Sequence, residues 1–143
     1  MDKASSSIVI DGDKQSVMAV IADLEAYPEW STAIKSVTVD ETDSDGRGTT
    51  ATFTLDAGVI KDTYTLAYDW QGDDQVDWHL VEGRAMKAQE GTYQLREVDG
   101  GTEVTYQLAV ELAVPMLGMF KRKAEKMIMD TALKGLKKRV ESA

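Results

Sequence analysis

The side chains in this sequence best suited to handling a small molecule are its five tyrosines, three tryptophans and one histidine. Tyr64, Tyr68, Tyr93 and Tyr106 fall in phase with apolar neighbours in stretches that alternate between apolar and polar residues. A phenol on the apolar face of a strand carries its hydroxyl into the core. There it must find a partner, and a ligand oxygen can be that partner. His79 has the reference pKa suited to proton transfer near neutrality. Trp78 and Leu80, however, take the apolar phase of its stretch, which places His79 on the solvent face. Arg84, near a strand connection, and Glu90, beside Gly91, are the remaining polar groups placed to act on a carbonyl. They form no constellation that names a catalytic residue.

Other chemistry is removed by composition. Without cysteine and with one histidine, the chain offers no disulfide, thiolate zinc site, cysteine nucleophile or multi-histidine metal site. Its glycines make neither a P-loop nor a dinucleotide fingerprint, so no cofactor is expected. A net charge of −9 argues against nucleic acid, whose phosphates need clustered lysine and arginine. That charge is uneven: residues 114–143 carry 8 basic and 3 acidic side chains, and the rest of the chain carries the acidic excess. This reads as a basic helix lying against an acidic sheet rim. No apolar run reaches the roughly 18 residues of a membrane span, and the N-terminus lacks a basic-then-apolar leader. A cytoplasmic protein without membrane insertion is expected, with its oligomeric state open.

The elements that must position these groups follow from periodicity. Ser5–Ile10 ends in β-branched residues and reads as a strand. Asp11-Gly12-Asp13 breaks it and offers a helix cap, after which Val17, Val20, Ile21 and Leu24 form one apolar stripe. Pro28 should end that helical region and push Tyr27 toward extended geometry. From Ile34 to Leu112 the period becomes two, in six strands separated by turns such as Asp43–Gly48, Gln71–Asp74 and Asp99-Gly100-Gly101. Gly91 is expected to mark a bulge. Strands with one apolar face need a cover on that face alone. The last segment, starting near Pro115 and running from Met116 to about Glu141, is the one long enough to supply it. Its stripe is read as Phe120, Ala124, Met127, Ile128, Thr131 and Gly135, widened by Met129, Leu133, Leu136 and Val140. The expected fold is α+β: a curved seven-stranded antiparallel sheet wrapped around a long C-terminal helix, with two short helices after strand 1. One domain spans residues 1–143.

Three stretches carry a family likeness. Val20–Trp30 resembles a helix followed by D-x-x-x-Y-P-x-W, here Asp23, Tyr27, Pro28 and Trp30. Gly91-Thr92-Tyr93 followed by Gly100-Gly101-Thr102-Glu103-Val104-Thr105-Tyr106 resembles a G-x-Y … G-x-G-T-x-V-x-Y pair of strands, and Leu133–Lys137 resembles the terminal helix. These are similar to the START-like (SRPBCC) superfamily of polyketide cyclase/dehydrase and lipid-transport proteins, over Ser6 to Glu141. The resemblance implies the helix-grip fold, and its motifs speak to fold more than to activity.

On that fold the inward side chains are Phe53, Leu55, Tyr64, Leu66, Tyr68, Trp78, Leu80, Tyr93, Tyr106 and Leu108 from the sheet. Phe120, Ala124, Met127, Ile128 and Thr131 come from the helix, and Trp30 closes the end of the core or lines its entrance. The function expected is binding or transport of a small hydrophobic ligand, lipid or polyketide-like, in this cavity. The rival is a cyclase/dehydrase-type enzyme acting on a carbonyl with tyrosine hydroxyls and Arg84 or Glu90. A third alternative is a co-chaperone-like interaction module using the acidic rim.

Overall fold

The computed structural model describes residues 3–58, 60–113 and 118–142. Seven strands, Ala4–Ile10 (β1), Ile34–Thr42 (β2), Gly48–Asp56 (β3), Lys61–Gln71 (β4), Gln75–Glu82 (β5), Met86–Val98 (β6) and Gly101–Leu112 (β7), form one antiparallel sheet. Their order is β1-β7-β6-β5-β4-β3-β2, so β2 to β7 make an unbroken meander and β1 returns to pair with its last strand. The alternation expected of β3 is present: Ala51, Phe53 and Leu55 are buried. Thr52 and Thr54, on the other face, meet Thr65 and Thr63 of β4 at 3.0 and 3.4 Å. The β6–β7 hairpin turns through Gly100, at φ 90°, a conformation that favours glycine.

Gly91 does not bulge. Its pairing with Trp78 and Leu108 is regular, and the irregularity in β6 lies between Met86 and Ala88. What glycine provides is room. A β-carbon at 91 would stand 2.1 Å from the Trp78 ring, which lies across the bare backbone.

Helix α1, Lys14–Ala22, starts on Asp13, whose carboxylate accepts the Ser16 N–H at 2.7 Å. A 3-10 helix follows at Leu24–Glu29 and contains Pro28. Tyr27 is therefore helical, contrary to the expectation of extended geometry. Its buried ring and the bond from its hydroxyl to the Ile21 carbonyl, 2.5 Å, outweigh the local bias of the residue before proline.

Helix α2, Gly118–Glu141, crosses the concave face and packs on β1, β7 and α1. The expected start at Pro115 and Met116 lies outside the described residues. The buried stripe is Ala124, Met129, Ala132, Leu133, Leu136 and Val140, with Ile128 half-buried. Phe120 and Met127, expected to face the sheet, are 46% and 41% exposed, and Thr131 is only half-buried. The buried arc is displaced from the expected stripe toward Met129, Leu133 and Leu136, while Gly135 sits against the backbone at Trp30, an approach no larger residue permits. Among the described residues no helix is long and apolar enough to cross a membrane.

Candidate functional site

Sheet and helix leave between them a cavity of about 50 Å³, above the roughly 10–15 Å³ that a single water needs. Its walls come from the 3-10 helix and the turn after it (Tyr27, Trp30, Ser31, Ala33), the sheet, and Ile128 and Ala132 of α2. Of the inward residues expected from sequence, Trp30, Phe53, Leu55, Tyr64, Leu66, Tyr68, Trp78, Tyr93, Tyr106, Leu108 and Ile128 line it. Leu80 and Ala124 pack on the core outside it, and Phe120, Met127 and Thr131 do not reach it. Tyr27, Met86, Gln89 and Ala132 join the lining without having been expected.

The aromatic walls form a continuous chain. Tyr27 contacts Trp30 and Phe53, with ring centroids 4.7 and 6.1 Å apart, and Phe53 stacks on Tyr64 at 5.5 Å. Tyr68 links Phe53 to Trp78, and Trp78, Tyr93 and Tyr106 close a triangle with sides of 5.2, 5.7 and 4.6 Å. Such pairs hold one another in place beyond their buried area.

Every tyrosine of the chain has its phenol at this cavity. Burial pushes all five pKa values above the ordinary tyrosine value. For all but Tyr106, neighbouring tyrosines raise the value further. A hydrogen bond with Gln89 opposes the shift in part at Tyr64. The five are therefore neutral donors at physiological pH. Tyr27 is satisfied by Ile21, whereas the hydroxyls of Tyr68, Tyr93 and Tyr106 make no hydrogen bond to any described residue.

Among the described residues no charged side chain lines the cavity. His79, Arg84 and Glu90 are exposed, and none of them reaches it. His79 and Glu90 border a shallow polar groove on the outer face of the sheet, where they pair across β5 and β6. The Arg84 backbone N–H donates to the buried carboxylate of Asp62, which also accepts from the Met86 N–H. Asp62 thereby fixes the β5–β6 turn. Among the described residues no group of acidic or histidine side chains is arranged to hold a metal.

The model of the polyketide cyclase / dehydrase and lipid transport family matches residues 1–141. The chain belongs to this family. Solved structures share its fold. A START superfamily protein from Mycobacterium smegmatis superposes with a TM-score of 0.89 at 21% identity, covering 98% of this chain and 97% of that one. A Thermus thermophilus protein gives 0.83 at 22% identity, with 99% and 98% covered. An aromatase/cyclase from Streptomyces gives 0.78 at 13% identity, with 98% and 93% covered. Uncharacterised proteins of Mycobacterium bovis and Mycobacterium tuberculosis are 28% identical over 103 residues, 71% of this chain and 60% of theirs. These likenesses bear on fold, and the family description leaves ligand and activity open.

Proposed function

We propose that the protein binds a small hydrophobic molecule, lipid or polyketide-like, between sheet and helix. One observation carries the reading: a cavity walled by aromatic and aliphatic side chains, with no charged side chain among the described residues and with neutral tyrosines in its lining. Apolar walls with a few polar groups that fix orientation are the usual composition of a small-molecule site. A guest larger than a few waters has to press the aromatic rings apart, so binding is coupled to their movement.

Native mass spectrometry of the gently purified protein tests this. The expected result is a discrete apolar adduct, co-purified or added, that is lost on denaturation. Ala132→Leu, which fills the cavity from α2, should reduce its occupancy, as should Ile128→Phe. Unchanged occupancy in both variants would overturn the reading. Its compartment is proposed to be the cytoplasm, which cell fractionation checks.

A second reading, a cyclase/dehydrase-type enzyme, is supported by the tyrosines that share the lining. Neutral donors around one cavity suit a carbonyl oxygen that gains negative charge. Among the described residues the lining holds no side chain ionised as a base near neutrality, which favours binding. Conversion of a linear β-polyketone that is lost in Tyr64→Phe and Tyr106→Phe would reverse that preference.

A further inference from the structure

We propose that the indole N–H of Trp30 anchors an oxygen acceptor on the ligand, and that the cavity takes uncharged, oxygen-bearing apolar molecules in preference to carboxylates. This rests on the binding function proposed above and adds the chemical class of ligand.

Trp30 is 7% exposed, and its Nε1 is buried without a hydrogen-bond partner among the described residues. The other two tryptophans are satisfied. Trp70 Nε1 donates to the Gly48 carbonyl at 2.7 Å and Trp78 Nε1 to Gln89 Oε1 at 3.1 Å. A sealed donor without an acceptor costs free energy, and most native structures avoid one.

One edge of the indole is taken up by the helix. Its Cε3 edge faces α2, 3.3 Å from where a β-carbon of Gly135 would stand. Nε1 is on the opposite edge of the ring, and Trp30 is part of the cavity wall. An indole N–H donates only, so its partner must be an acceptor. Tyr68, Tyr93 and Tyr106, which line the same cavity as Trp30, carry further neutral donors. A carbonyl or ether oxygen can accept from both sources. A carboxylate can too, but it would be buried with no cation in the lining to offset its desolvation.

Three probes of one shape separate these terms. α-Methylstyrene, acetophenone and benzoate differ at the group beside the ring: alkene, ketone and carboxylate. Acetophenone is expected to bind about tenfold more tightly than α-methylstyrene, the value of one net hydrogen bond. Benzoate should bind more weakly than acetophenone. Trp30→Phe should abolish the ketone's advantage while the hydrocarbon still binds. In nitrogen–proton correlation spectra, the indole peak missing from Trp30→Phe should move downfield with acetophenone and not with α-methylstyrene.

Equal affinities for the two neutral probes, an unmoved Trp30 peak, or tightest binding by benzoate would each overturn the anchor and leave the binding function standing. If none of the three binds, the binding function falls and the anchor with it. Should Trp30→Phe fail to fold, the wild-type affinities and the chemical shift of the indole peak that responds to acetophenone decide.

Discussion

The carbonyl oxygen of Trp30 lies against Gly135 of α2 so closely that a β-carbon at residue 135 would stand 1.7 Å from it. This approach joins the turn after the 3-10 helix to the second half of α2 and holds the indole at the cavity.

It yields a test of packing. Helix propensity alone would favour Gly135→Ala by about 1 kcal/mol. Overlap with backbone, which cannot swing aside, should reverse the sign and destabilise the protein by roughly 1–3 kcal/mol in denaturant unfolding. Gly118→Ala, whose β-carbon would meet only the guanidinium end of Arg122, should be neutral or stabilising. A stabilising Gly135→Ala would show that the contact is absent.

Tyr27 should not respond to loss of the hydroxyl as Tyr68, Tyr93 and Tyr106 do. Tyr27→Phe removes the bond to the Ile21 carbonyl and should cost about 1 kcal/mol. Tyr68→Phe, Tyr93→Phe and Tyr106→Phe remove no bond to a described residue, and each should leave unfolding free energy unchanged or slightly raised. Uniform destabilisation across the four would contradict the distinction between a structural phenol and cavity-facing ones.

Asp62 gives a third prediction. Its buried carboxylate serves the backbone N–H groups of Arg84 and Met86. Asp62→Ala leaves both donors unpaired at the turn and should cost about 2–3 kcal/mol. Asp62→Asn retains an acceptor oxygen and should lose less. Equal losses would mean that the hydrogen bonds are not what the carboxylate contributes.

Alkaline pH should open the fold through the tyrosines. Their folded-state pKa values lie above the unfolded value of about 10. The native state therefore holds protons that the unfolded chain releases. The associated stability is full below about pH 10 and falls as pH rises beyond it. Phenolate absorbance should stay silent until near-ultraviolet circular dichroism collapses, the two changing together. Ordinary tyrosine titration in an intact fold would contradict the buried cluster.

Much of the sheet was legible because a period of two with one buried face leaves a single phase for each strand. Phe53, Tyr64, Tyr93 and Tyr106 point inward and His79 outward for that reason. Gln89 had the same signal, four residues before Tyr93 on the same strand face, but a polar residue there does not look like lining. The helix phase was not legible. Apolar residues cover more of α2 than its buried arc, so Phe120 and Met127 compete with Met129, Ala132 and Leu133 for the inward side. The competition is settled by the packing of α2 on β1, β7 and α1, which no local pattern announces. Tyr27 was missed because the proline rule is local, while its ring and hydroxyl are held by the core.

The most direct test of the binding account is a nitrogen–proton NMR titration of the protein with acetophenone. Saturable shifts should be centred on Tyr27, Trp30, Tyr64, Tyr93, Tyr106 and Ile128, with the outer-face residues His79 and Glu90 unmoved. Saturable shifts confined to the outer face, or none at the cavity residues up to the solubility limit of the ketone, would contradict it.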